Sequence, residues 1–283
     1  KWRDRLTEPL ATYRIGTKLK CIIGFYLIAC KIGVVYRISL PAEVTALLSS
    51  FDIALSFGLD LSAPFECFGG GYRERLQFWL FAPLGLGLSL LAVGLVRHRG
   101  NLRAGFLWCL PPLLKLFFLI YPTVNLRAFE AFRCYDFGDD GSYLMADVRV
   151  ECGSSEHTTI KTWAWIAVAV YPVGWTATTA VLLYSARKAI TGDHRPTALS
   201  RALSFVYDEY DTSFYWWEVF EMFRRFFLVG LMSILPPGLE GSVVQLMIAS
   251  LFCILYLIVQ LQARPFKEAG DEYVALVSSA SLA

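Results

Sequence analysis

The chain has 283 residues, 56% of them hydrophobic and only 18% charged, with a mean hydropathy of +0.49. A water-soluble domain carries about a quarter of its residues as charges, so the composition excludes an ordinary soluble enzyme and points to a membrane protein. Twenty-six basic against 24 acidic side chains leave a net +2, too balanced for the concentrated basic surface that nucleic-acid phosphates demand; no nucleic-acid partner is expected.

Residues 1–20 form a basic lead-in (Lys1, Arg3, Arg5, Arg14, Lys18, Lys20) with neither an initiator Met nor a signal-peptide pattern, and read as a cytosolic segment of a longer protein. The membrane part, 21–262, holds six runs near the ~20 apolar residues needed to cross the hydrocarbon, at 21–40, 76–96, 106–124, 162–185, 213–235 and 243–262. Lys31 lies inside the first. Segment 43–63 is also apolar but contains Asp52 and Asp60, and a crossing there would carry the Arg97–Arg103 turn to the opposite side; it reads as a helix lying at the outer interface, with Asp52 a partner for Lys31 if it folds inward.

Lys115 lies near the centre of the third run, in PPLLKLFFLIYP. A charge at membrane depth costs about 2.5 kcal/mol or more, so this lysine faces the bundle or an aqueous cavity, or else snorkels along a packed helix. The Tyr121-Pro122 pair marks a break, after which the outer loop 126–161 carries seven acidic against four basic residues. Its VRV alternation suggests a small hairpin turned at 138–141 and bracketed by Cys134 and Cys152, for which a disulfide is the leading reading, with Cys67 a competing partner. Asp136, Asp139 and Asp140 fall short of a calcium-loop pattern and read as solvated turn residues.

A basic inner linker, 186–212, leads to the fifth run, where only 226–235 is free of charge. At 100° per residue Glu218, Glu221 and Arg225 share an arc of about 60°, opposite Phe220, Phe223 and Phe227. This stripe is either self-neutralised through a Glu221–Arg225 pair at i, i+4 or a site for a cation or lipid phosphate. Trp216 and Trp217 suit an interfacial belt. After the Pro236-Pro237-Gly238 turn comes the sixth run, and 263–283 reads as an inner turn and the start of a further, truncated helix. The basic clusters before run one, after run two, after run four and after run six share one side, which is therefore cytosolic. The fold expected is an all-α polytopic transmembrane helix bundle of about six spans, with the start of a seventh and a small disulfide-linked extracytosolic loop.

Chemistry-bearing motifs are sparse. The seven cysteines form no CxxC and the histidines at 98, 157 and 194 lie far apart, so zinc spacing is missing. Ser154, Ser155 and His157 are neighbours in sequence only, and no GxSxG, HExxH or P-loop occurs. No catalytic residue, cofactor or metal is expected.

Four strings taken together, YDEYDTSFYWWEVFEMFRR at 207–225, Pro265-Phe266, the outer FRCYDF…SYLMADVRVEC block and the CFGGGYRERL turn, resemble the transient receptor potential-like membrane region of large algal and protist proteins, itself distantly similar to the fungal polycystin and flavin-carrier family. The resemblance covers about residues 17–275. It implies a multi-span, channel-like domain, often placed after a large cysteine-rich ectodomain. The expected function is thus a cation channel or its sensor portion, with Lys115, Glu218, Glu221, Arg224 and Arg225 as coupling or ion- or lipid-facing residues. The partners expected are membrane lipids, cations, and other subunits or further parts of the same polypeptide. A non-conducting anchor for an extracellular assembly and a lipid or small-molecule carrier are the alternatives. A polar path lined by Lys115 or Glu218 would mark the channel, and an enclosed cavity or lipid-open groove the carrier.

Overall fold

The computed structural model describes residues 15–55, 70–192, 195–234 and 241–283. Helices α1 (Ile15–Tyr36), α2 (Ala42–Leu55), α3 (Tyr72–Arg97) and α4 (Leu102–Glu130) precede a three-stranded sheet of β1 (Cys134–Asp136), β2 (Ser142–Leu144) and β3 (Asp147–Glu151). Helix α5 (Ser155–Ile190), the short α6 (Ala198–Ala202) and α7 (Ser204–Tyr207), α8 (217–234), α9 (Val243–Ala263) and α10 (Ala269–Ala280) complete the chain. The architecture is an all-α polytopic bundle with a small disulfide-linked lid. Helices α1, α3, α4, α5 and α9 are each long and apolar enough to cross a membrane. Helix α8 carries four charged residues in its first half, Glu218, Glu221, Arg224 and Arg225, all buried against neighbouring helices.

The two ends of the bundle are chemically distinct. Lys18 pairs with Asp271 at 3.3 Å and Lys20 reaches Glu209 and Glu218, so the start of α1, the linker after α5 and the turn after α9 meet at one end, the end predicted to be cytosolic. At the other end Arg133 donates to the Val34 carbonyl at 3.4 Å and Arg37 approaches Met145 of the lid.

Helices α3 and α4 form a hairpin through Arg99 and Gly100, both left-handed (φ 52° and 83°). The Gly100 N–H closes the helix on the Leu95 carbonyl at 2.8 Å, and the Asn101 carboxamide oxygen caps α4 by accepting from the Ala104 N–H at 3.1 Å. Just inside the turn the two backbones touch: a Cβ on Gly94 would lie 2.8 Å from the Gly105 carbonyl oxygen. Gly94→Val therefore forces the hairpin apart, with an expected loss of about 1–3 kcal/mol and a lower thermal midpoint in detergent; an unchanged midpoint would mean that the crossing relaxes freely.

Three sequence expectations are corrected. Segment 43–63 does not lie flat at the bundle end over its described part. Helix α2 runs back antiparallel along α1, since Phe51 stacks on Tyr26 at 4.1 Å and the Cys30 thiol donates to the Leu48 carbonyl at 3.4 Å; the apolar surface of α1 is a better partner for this helix than the interface. Asp60 and the side chain of Asp52 lie outside the described residues, and Lys31 is buried. Pro122 does not end α4, which continues to Glu130 and buries Leu126, Ala128 and Phe129 in the bundle; helix packing outweighs the hydrogen bond a proline removes. The loop proper is then 131–154, and the linker 191–216. The lid is a three-stranded meander rather than a single hairpin, with Cys134 opposite Leu144 around the predicted 138–141 turn and Tyr143 opposite Glu151 in the second hairpin. Two helices also change winding along their length. Helix α5 passes through a π segment, Ala169–Trp175, that contains Pro172, and α8 is α-helical over Trp217–Arg225, π over Phe226–Gly230 and 3₁₀ over Leu231–Ile234.

Among the described residues, apolar clusters fill the interior of the bundle. Ile28, Val35, Leu228 and Met232 join α1 to α8 and α9, while Leu80, Phe117, Phe129 and Tyr171 join α3, α4 and α5. Leu110, Leu114 and Leu183 receive Leu203 and Val206, so the short linker helices dock up against α4 and α5 rather than trailing in solvent. On α9, Met247, Leu251, Leu255 and Ile258 are exposed, as a lipid-facing flank requires.

Candidate functional site

The lid is fixed by ordinary capping and packing. Leu144 and Val150 pack on Tyr72, Leu76, Ile160 and Ala164, and Cys134 and Cys152 are bonded across the sheet with Cα atoms 6.4 Å apart. The Asp147 carboxylate accepts from the Tyr72 N–H at 3.0 Å, capping α3, and holds Arg149 by two contacts of 2.8 Å. Arg149 is the main reason that the Asp147 carboxyl titrates at about 2, against ~3.9 in an unfolded chain. With a depressed folded value, its stabilisation is complete above pH ~4 and is lost as pH falls through about 2. Acid titration of lid unfolding should show this component, and Asp147→Asn should remove it; identical acid profiles would refute the assignment.

Cys134, Cys152 and His157 have ligand atoms within 4.8 Å of one another. Both sulfurs are consumed by the disulfide, and both ring nitrogens of buried His157 are engaged: Nδ1 accepts from the Gly153 N–H at 3.0 Å and Nε2 donates to the Ala131 carbonyl at 3.1 Å. The trio is structural. Ser154 caps α5 by accepting from the His157 N–H at 3.2 Å, and Asp136 accepts from the Gly138 N–H at 3.0 Å beside exposed Asp139. Cys67, His194, the 236–238 turn and the side chain of Asp140 lie outside the described residues.

The unusual chemistry lies at the opposite end. An antiparallel zip joins the linker to the turn after α9: the Asp211 N–H donates to the Pro265 carbonyl at 2.7 Å, and the Lys267 N–H to the Glu209 carbonyl at 3.0 Å. Arg264, left-handed at φ 44°, ends α9 and aims the Pro265-Phe266 pair into this zip. Tyr210, Trp217, Tyr256 and Phe266 form an aromatic floor around it.

Above that floor sits a buried ionic layer. Lys20 of α1, 8% exposed, donates to the Phe205 carbonyl at 2.9 Å, to Glu209, and to Glu218 at 2.7 Å. Glu218 also accepts from the Tyr210 hydroxyl at 3.0 Å and faces Arg225 at 3.6 Å. One helical turn further on, Glu221 pairs with Arg224 at 2.8 Å and accepts from the Tyr256 hydroxyl. Arg224 donates to the Ser279 hydroxyl at 2.9 Å, which in turn donates to the Gln260 oxygen at 2.8 Å. The guanidiniums lie over aromatic faces, Arg224 at 4.3 Å from Tyr256 and Arg225 at 4.4 Å from Phe118. Gly24 makes room for Arg225, whose Nη2 would be only 3.1 Å from a Cβ there.

Three acids (Glu209, Glu218, Glu221) face three bases (Lys20, Arg224, Arg225), so the layer is neutral as a whole. A cavity of about 30 Å³ lies among them, enough for a water molecule. The expected Glu221–Arg225 pair is replaced by Glu221–Arg224 and Glu218–Arg225, because Lys20, Tyr210 and Tyr256 approach α8 from other elements and reset the pairing. Of the predicted residues, Glu218, Glu221, Arg224 and Arg225 come together here. Lys115 does not join them; it is exposed on α4, with its Nζ 5.9 Å from the Phe205 ring. Sequence reasoning missed Lys20, Glu209, Tyr210, Tyr256 and Gln260. No protein-family model, no curated protein and no solved structure matches the chain.

Proposed function

We propose that the chain is the membrane region of a transient receptor potential-like cation channel, acting as its sensor portion. The observation that carries the reading is the neutral, buried ionic layer that joins α1, the linker, α8, α9 and α10 at one end of the bundle. Buried ion pairs contribute little net stability, because desolvation offsets their attraction, so such a layer is a costly way merely to hold helices together. It is well suited to switching. Glu218 is shared between Lys20 and Arg225, and Glu221 lies one turn from both arginines, so partners can be exchanged without leaving a charge unpaired. A pull on the linker at Glu209 passes through Lys20 to Glu218 and on to Arg225. Between the layer and the lid, Leu80, Phe117, Phe129 and Tyr171 fill the interior, which favours an ion path shared between chains or with further segments over one inside a single copy.

Reconstitution of the full-length protein in liposomes tests this. Currents gated by voltage, tension or calcium are expected, with Glu221→Gln and Arg225→Gln shifting activation while expression and assembly persist. Silence under all three stimuli would transfer the reading to a non-conducting anchor. Currents indifferent to both substitutions would reduce the layer to a structural contact.

A further inference from the structure

Helix α4 has 29 residues and at ~1.5 Å per residue is about 43 Å long, well beyond the ~30 Å of hydrocarbon. Lys115 stands fifteen residues (130 − 115) below its lid end, and Lys20 sixteen (36 − 20) below the lid end of α1. At the same rise both lie about 22–24 Å from the lid ends of their helices, and so at the same level of the bundle as each other. Phe205 of α7 sits between them, 4.5 Å from Lys20 Nζ and 5.9 Å from Lys115 Nζ. The three elements enclose an open groove of about 360 Å³, lined by Thr17, Lys20, Lys115, Ser204, Phe205 and Asp208 among others.

The groove has one unbalanced charge. Lys20 is saturated by Glu209 and Glu218, and Asp208 meets Lys267 at 3.5 Å. Among the described residues no carboxylate pairs with Lys115, although it faces the groove from an otherwise uncharged stretch of α4, 104–126. The Thr17 and Ser204 hydroxyls line the same space. An ammonium, two hydroxyls and an aromatic wall form a receptor for one phosphate anion, and lysine is a common point-charge ligand for phosphate.

We propose that this groove binds a phosphate-bearing anion, the phosphodiester of a phospholipid headgroup or a free phosphate, with Lys115 as its counter-charge and Ser204 and Thr17 as hydroxyl donors. The site borders the ionic layer, sharing Lys20 and Glu209 with it as wall residues, but its counter-charge Lys115 lies outside that layer and the proposal does not depend on the channel reading.

The test is native mass spectrometry of the full chain released from micelles containing equal phosphatidylglycerol and phosphatidylcholine, together with thermal midpoints in inorganic phosphate and in chloride at equal ionic strength. Retention of one phosphatidylglycerol in preference to phosphatidylcholine, reduced about fivefold by Lys115→Gln and kept by Lys115→Arg, assigns a lipid headgroup. A phosphate-specific rise in midpoint that Lys115→Gln abolishes, without lipid preference, assigns free phosphate. Lys115 is exposed, so its replacement leaves the fold intact; Ser204→Ala should weaken the same signal. Equal retention of the two lipids with no phosphate effect, or signals identical in wild type and Lys115→Gln, would overturn the proposal.

Discussion

Glu218→Ala is expected to destabilise the bundle by about 3–5 kcal/mol, the cost of stripping a buried charge network of one partner. Its carboxylate serves Lys20, Tyr210 and Arg225 while only 3% exposed, so removal strands Arg225 and leaves Lys20 with Glu209 alone. Denaturation in mixed micelles with a graded fraction of harsh detergent measures the loss. A change below about 1 kcal/mol would mean that water reaches the layer and screens it. The paired replacement of Glu218 by Leu and Arg225 by Met should cost less than the sum of its two single replacements, because the arginine that the first change orphans is itself removed. Lys20 then keeps Glu209.

The second large effect belongs to the lid. Breaking the Cys134–Cys152 bond, by reduction or by replacing both cysteines with serine, frees a loop of 18 positions and is expected to cost about 3 kcal/mol in the chain-entropy account. The loss is local, because Leu144 and Val150 still have Tyr72 and Ile160 to pack on. It should be read as faster proteolysis between Phe137 and Tyr143 and faster amide exchange in β1 and β3. An equally protected lid after reduction would show that packing alone holds the sheet. Non-reducing peptide mapping that joins Cys134 to Cys67 would remove the pairing itself.

The membrane helices and the lid were readable because each obeys a local rule. About 20 apolar residues must become a helix when no water can satisfy the backbone, and two cysteines flanking an alternating strand in an acidic loop have few other uses. What escaped depends on distance along the chain. Nothing near Lys20 signals that its partners lie 189 and 198 positions away, so by sequence it belongs to the basic lead-in, and the charges of α8 have only one another as visible partners. One signal was available: residues 209–225 carry four acids, Glu209, Asp211, Glu218 and Glu221, against only Arg224 and Arg225. A missing base was therefore implied, though not which one. The antiparallel course of α2 and the passage of α4 through Pro122 were hidden for a related reason, since both follow from apolar neighbours that only the assembled bundle supplies.

The long reach of Lys20 also sets a timetable for biogenesis. At about 5–20 residues per second, the ribosome needs roughly 10–40 s after making Lys20 before Glu209 exists to receive it, and longer before Ser279 emerges to engage Arg224. The first helix must wait in the bilayer with its ammonium held at the lipid surface. The half-charged α8 can enter only where α1 is already in place to neutralise it. The insertion of α8 is thus tied to α1, and an insertion factor that let α1 drift away during that interval would leave α8 stranded in water.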